Sequence, residues 1–97
     1  MLDYLLLMHG DATRESDGTA WGPYLTKLKA TGNFQGGSSI GGGVCVNKSG
    51  FEREISARLV GFIKVRARDL EHAREYLDGN PVYEAGGTVE IRELPRD

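Results

Sequence analysis

Between Leu59 and Leu94 the hydrophobic period switches from two to helical spacing and back to two, with a marked boundary at each change. From Leu59 to Ala67, Leu59, Gly61, Ile63 and Val65 alternate with Val60, Phe62, Lys64 and Arg66. This is a core strand, apolar on both faces at its start and on one face later. Asp69 then stands at a helix N-cap, where its carboxylate can accept backbone N–H bonds, and Leu70, Ala73 and Leu77 recur at helical spacing with Tyr76 beside them. Gly79 supplies a left-handed stop and Pro81 forbids continuation, so the spacing predicts one helix of about ten residues. After Gly86-Gly87, Val89 and Ile91 face one way and Thr88, Glu90 and Arg92 the other, a closing strand.

The N-terminal half repeats the order. Leu2 to His9 places Tyr4, Leu6 and Met8 on one face and Leu5, Leu7 and His9 on the other, which predicts a central strand. Gly10 to Gly18 has no large apolar residue and reads as an exposed loop. Trp21, Tyr24, Leu25 and Leu28 then fall at i, i+3, i+4 and i+7, with Pro23 in the first turn and Gly32 after the end, an amphipathic helix. Glycines interrupt two further strand-like pieces, Phe34 to Ile40 and Val44 to Asn47, and mark bulges or close backbone approach. Phe51 to Arg58 is a charged connector.

Two β-α-β units in this order are what an α+β, ferredoxin-like split βαβ sandwich requires, with both helical connections on one face of an antiparallel sheet. Residues 1–97 form a single domain, with no repeat and no long linker. The two strands expected at the centre are apolar on both faces, so something must cover the face the helices leave open. The expected cover is a second copy of the chain, a homodimer.

Charge and cysteine usage exclude several classes of function. Lys+Arg 12 against Asp+Glu 14 gives a net charge of -2, no field for a phosphate backbone, and neither nucleic acid nor membrane is an expected partner. Cys45 is the only cysteine, so no internal disulfide can form, and a cytoplasmic setting is expected. The apolar run Tyr4 to Met8 is too short to span a bilayer and lacks the marks of a leader. Two histidines and one cysteine on separate elements do not give zinc spacing, and the expected metal and cofactor content is none. Gly42 to Ser49 approaches a phosphate-binding loop, but Asn47 replaces the required glycine and no helix follows.

Several segments resemble the YCII-related family, including its DGPF-type branch: Tyr4-Leu5-Leu6-Leu7-Met8-His9-Gly10-Asp11, Gly61-Phe62, Asp69-Leu70-Glu71-His72-Ala73, Asn80-Pro81 and Gly87-Thr88-Val89-Glu90-Ile91-Arg92. The resemblance spans nearly the whole chain. It implies a dimeric α+β barrel with a pocket whose histidine and aspartate have been proposed as an acid–base pair, and a few members act as pathway enzymes such as a dehydrochlorinase. Three positions depart from that pattern. Lys48-Ser49-Gly50-Phe51 stands for Asp-Gly-Pro-Phe, Asn80 precedes Pro81 where many relatives carry His or Asp, and Trp21 occupies the helix position where the enzyme-like branch has a histidine.

The candidate site is therefore small. His9 and Asp11, two apart where the first strand ends, read either as a hydrogen-bonded loop anchor or as an acid–base pair, with the Asp11 carboxylate expected to reach the imidazole nitrogen. Trp21, Tyr24, Phe34 and Ser38 are the expected lining of a pocket beside them, although aromatics at such spacings also serve as plain core. His72 reads as a partner of the Asp69 cap, and Cys45, between Val44 and Val46, as an inert thiol in a strand. Loss of the signature residues favours binding of a small molecule without turnover. The alternative is a cofactor-independent lyase, isomerase or dehydrohalogenase in which His9 acts with Asp11.

Overall fold

A computed structural model describes residues 1–96. The elements run β1 (Leu2–His9), a single 3-10 turn at Gly18–Ala20, α1 (Trp21–Ala30), β2 (Phe34–Ser39), β3 (Leu59–Ala67), α2 (Leu70–Glu75), α3 (Pro81–Glu84) and β4 (Val89–Leu94). The four strands form one antiparallel sheet in the order β2-β3-β1-β4, the arrangement a ferredoxin-like α+β domain requires. As its apolar faces demand, β1 is central.

The register explains the core. Leu6 lies between Ile63 of β3 and Ile91 of β4, and Tyr4 opposite Val65. Alternation puts Tyr4, Leu6 and Met8 on the face that α1 and α2 cover, where they are buried with Tyr24, Leu28, Ile63, Val65 and Ala73. Leu5, Leu7, Phe62 and Leu94 occupy the opposite face, half-buried, with no helix over them.

Two expectations about elements change. The helix after Asp69 has six residues, because from Tyr76 onward the N–H groups bond three residues back, to Ala73, Arg74 and Glu75, and the chain tightens into a turn. Pro81 does not merely stop that helix; it starts another. Its missing N–H falls where a first-turn donor would be unpartnered anyway, and Asn80 caps the turn by accepting from Val82 N at 3.0 Å and Tyr83 N at 3.1 Å.

The second correction concerns Val44 to Asn47, which is not a strand. The segment makes one isolated bridge, Cys45 to Arg53, and Cys45 is exposed. With no neighbouring ladder on either side, nothing there can propagate a sheet. The glycine bulge does occur: pairing shifts between Phe34 and Gly37, and Gly36 carries a φ of 116° that other residues rarely adopt.

Since Leu6 is fully buried at the centre of this cluster, Leu6→Ala should lower the unfolding free energy by about 3 kcal/mol. Chemical denaturation checks this. A loss near that of an exposed alanine substitution would mean that the Leu6 face is not the core.

Candidate functional site

A cavity of about 290 Å³ opens on the helix-covered side of the sheet, at the end where β1 leaves it. Its wall is made by Met8, Trp21, Leu25, Phe34, Val60, Ile63 and Val82, and its border by Gly37, Ser38, Ser39, Gly61 and Phe62. Strand alternation delivers Met8 and Ile63, helical spacing delivers Trp21 and Leu25 from one stripe of α1, and the short α3 brings Val82. The volume lies at the lower end of the ~300–1,000 Å³ range of small-molecule sites.

Glycine shapes two sides of the space. A Cβ on Gly61 would stand 2.8 Å from Met8 Cε, and one on Gly37 would stand 2.5 Å from the Phe62 carbonyl oxygen. Only hydrogen fits at Gly37 with β2 this close to β3. At Gly61 the missing side chain leaves Met8 its position on the cavity wall.

Of the six candidate residues, three line this cavity: Trp21, Phe34 and Ser38. Tyr24 stands behind the wall, its hydroxyl donating to the Tyr76 carbonyl at 2.8 Å and its ring meeting Trp21 edge to face at 5.9 Å. Burial pushes the Tyr24 phenol pKa up, so this hydroxyl stays a neutral donor. Met8, Leu25, Gly37, Ser39, Val60, Gly61, Phe62, Ile63 and Val82 complete the lining, and for Met8 and Ile63 the strand alternation that sets them on one sheet face is the signal in the sequence.

His9 and Asp11 stand outside the lining and are not joined to each other. Because Met8 faces the cavity, His9 must face the opposite side of the sheet, where Nε2 lies 3.1 Å from Glu90 Oε1. Glu90 also accepts from Arg92 at 3.0 Å, and this guanidinium, then the imidazole, holds its carboxyl below the usual range. The Asp11 carboxylate is engaged elsewhere. It accepts from Thr88 N at 2.7 Å and from Thr88 Oγ1 at 2.6 Å, so it fixes the loop to the start of β4 rather than reaching the ring nitrogen. The expected His9–Asp11 contact is thus replaced by His9–Glu90, since β4 puts Glu90 opposite Leu7 on the same face as His9.

The lining contains no ionisable side chain. What the arrangement can do is surround an apolar body with aromatic and aliphatic groups and offer the Ser38 and Ser39 hydroxyls as neutral hydrogen-bonding partners. Among the described residues no group of three or more His, Cys, Asp or Glu could hold a metal ion, and no helix is long and apolar enough to cross a membrane.

The Thr88 hydroxyl is the main cause of the lowered Asp11 pKa, ahead of the Thr88 N–H. Thr88→Val should therefore raise it towards the ordinary value, as read from carboxyl NMR titration. The sign for stability follows: the contribution of this contact is full above the unfolded carboxylate pKa of about 4 and fades as pH falls through the lower folded value. Wild type and Thr88→Val should differ in stability at neutral pH and converge in acid.

No protein-family model and no curated protein matches this sequence. Among solved structures, 5-chloro-2-hydroxyhydroquinone dehydrochlorinase from Burkholderia phenoliruptrix AC1100, in complex with 2,5-dihydroxybenzoquinone, superposes with a TM-score of 0.54 at 16% identity. The superposition covers 99% of this chain and 96% of that one, so the two share a fold from end to end.

Proposed function

We propose that this chain is a YCII-like, homodimeric binding domain that holds a small, uncharged, largely apolar molecule in the Met8–Trp21–Phe34 cavity without turning it over. One observation carries the reading: every side chain lining that cavity is neutral, and His9, the candidate acid–base, lies on the opposite face of the sheet. General acid–base catalysis requires a titratable group within hydrogen-bond reach of the reacting atom. A flat, ring-sized compound is the class favoured by an aromatic wall and a glycine-bordered side. The shared fold with a dehydrochlorinase whose structure holds a dihydroxybenzoquinone supports small-molecule binding in this architecture. The homodimer is supported by the half-buried row of Leu5, Leu7, Phe62 and Leu94, which the helices leave uncovered.

The second reading, a cofactor-independent lyase, isomerase or dehydrohalogenase, rests on the 3.1 Å contact of His9 with Glu90. In that reading Glu90 takes the orienting part first assigned to Asp11. The imidazole would act on the open sheet face, in a space enclosed by the second copy.

Trp21 is the only tryptophan and lies on the cavity wall, so its emission reports occupancy directly. Screening neutral single-ring aromatics by Trp21 fluorescence and thermal shift should yield ligands that change the emission and raise Tm together. Gly61→Val, which crowds Met8, should weaken such a ligand about tenfold, the equivalent of ~1.4 kcal/mol of overpacking, with the unliganded Tm as control. His9→Ala should leave binding unchanged. If His9→Ala abolishes binding, or wild type releases halide from a chlorinated hydroxyhydroquinone and His9→Ala does not, the second reading replaces the first.

A further inference from the structure

Between β2 and β3 the chain leaves the body of the domain as an arm, Gly41 to Arg58, in which no residue is buried. Val44 is 84% exposed, Val46 87%, Phe51 71% and Ile55 50%. Four large apolar side chains on one segment, each at least half exposed, are a surface that suits a partner. The base of the arm is fixed, since Ile40 N donates to Val60 O at 3.0 Å and Gly10 N to Arg58 O at 2.8 Å. Beyond that base its one ladder contact is the Cys45–Arg53 bridge.

The size of the excess surface suits a second copy of this chain. The chain exposes 6751 Å², whereas a globular monomer of 10.6 kDa exposes ~5,500 Å², an excess of roughly 1,250 Å². The radius of gyration, 14.7 Å, likewise exceeds the ~12.5 Å of a compact domain of this length. An excess of that size on each of two copies falls in the ~2,000–5,000 Å² total of obligate homodimers. Charge agrees: the arm carries Lys48, Arg53 and Arg58 with Glu52 and Glu54, and the open sheet face carries Lys64, Arg66 and Arg92 with Asp3 and Glu90. Both patches mix the two signs, which suits a self-complementary two-fold contact and not a strongly charged partner.

We propose that the Gly41–Arg58 arm of each copy clasps the other copy, seating Val44, Val46, Phe51 and Ile55 on it. This rests on the homodimer reading above and adds the device that holds the pair together. The arm leaves the sheet just after Ser39 and returns just before Val60, both of which line the cavity, so the clasp also ties dimer formation to the cavity rim.

Sedimentation velocity on wild type and on the Val46→Ser, Phe51→Ser double variant tests the clasp. Wild type should be a dimer at about 10 μM, and the variant should dissociate with a Kd raised at least about tenfold. If wild type is a monomer, the homodimer reading and the clasp fall together. If wild type is a dimer and the variant dimerises equally well, the clasp alone is overturned. A second measurement uses wild type only, and so stands even if the variant does not fold. Cys45 is the sole thiol and sits on the arm, and its alkylation by a bulky maleimide should slow severalfold as the protein is concentrated through the dimer range. A rate independent of concentration through that range overturns the clasp.

Discussion

The alternation of β1 is the constraint on which the rest of this structure depends. Leu6, fully buried between Ile63 and Ile91, fixes which face of the strand is core, and period two then decides the fate of every neighbour. Met8 must point to the helices and become a cavity wall, and His9 must point away. A one-residue slip would exchange the two and put an imidazole into the cavity. Whether the cavity wall carries a thioether or an imidazole is therefore decided by the same packing that makes the core.

A small polar network holds the helices at the distance the cavity needs. Asn80 has no exposed surface, yet its Oδ1 caps α3 and its Nδ2 approaches Met8 Sδ at 3.6 Å. Tyr24 OH reaches the Tyr76 carbonyl, and Tyr76 OH donates to Arg66 O at 2.8 Å while accepting from Asn33 Nδ2 at 2.9 Å. α1, the turn after α2 and the end of β3 are thereby joined through side chains whose polar atoms all find partners, as burial requires. Asn80 illustrates the point: one buried neutral amide both caps a helix and meets the methionine of the cavity wall.

The sheet is legible in the sequence because β1 and β3 are apolar runs of strand length and β4 alternates, and α1 because Trp21, Tyr24, Leu25 and Leu28 make one stripe. α3 was not, since four residues carry no helical period and the Asn80-Pro81 pair signals a stop and a start with the same letters. Trp21, Phe34 and Ser38 were placed together by the order of elements alone. His9 and Asp11 were joined by sequence proximity, but the competing partners Glu90 and Thr88 come from β4 and its approach, and no spacing within the first strand reveals which residue a distant strand will set beside it. Cys45 between two valines has the setting of a strand residue, yet strand propensity without a ladder forms no strand.

The two loops that leave β1 and β2 differ in how they are held. The Gly10 to Gly18 loop, exposed as its composition demands, is pinned: Asp11 binds Thr88 twice, Thr13 N and Arg14 N donate to Ala85 O at 3.0 and 2.9 Å, and the Arg14 side chain reaches the Glu84 carbonyl. That loop is held by bonds to its own chain, and its order needs no further partner. The Gly41–Arg58 arm is tied to the body of the domain at its base, and none of its residues is buried. If a second copy supplies the contact, assembly restrains the arm that continues from the Ser38–Ser39 border, whose backbone the ladder to Phe62 and Gly61 already holds. Ligand affinity and dimer affinity then become linked quantities, each raising the other by the same factor.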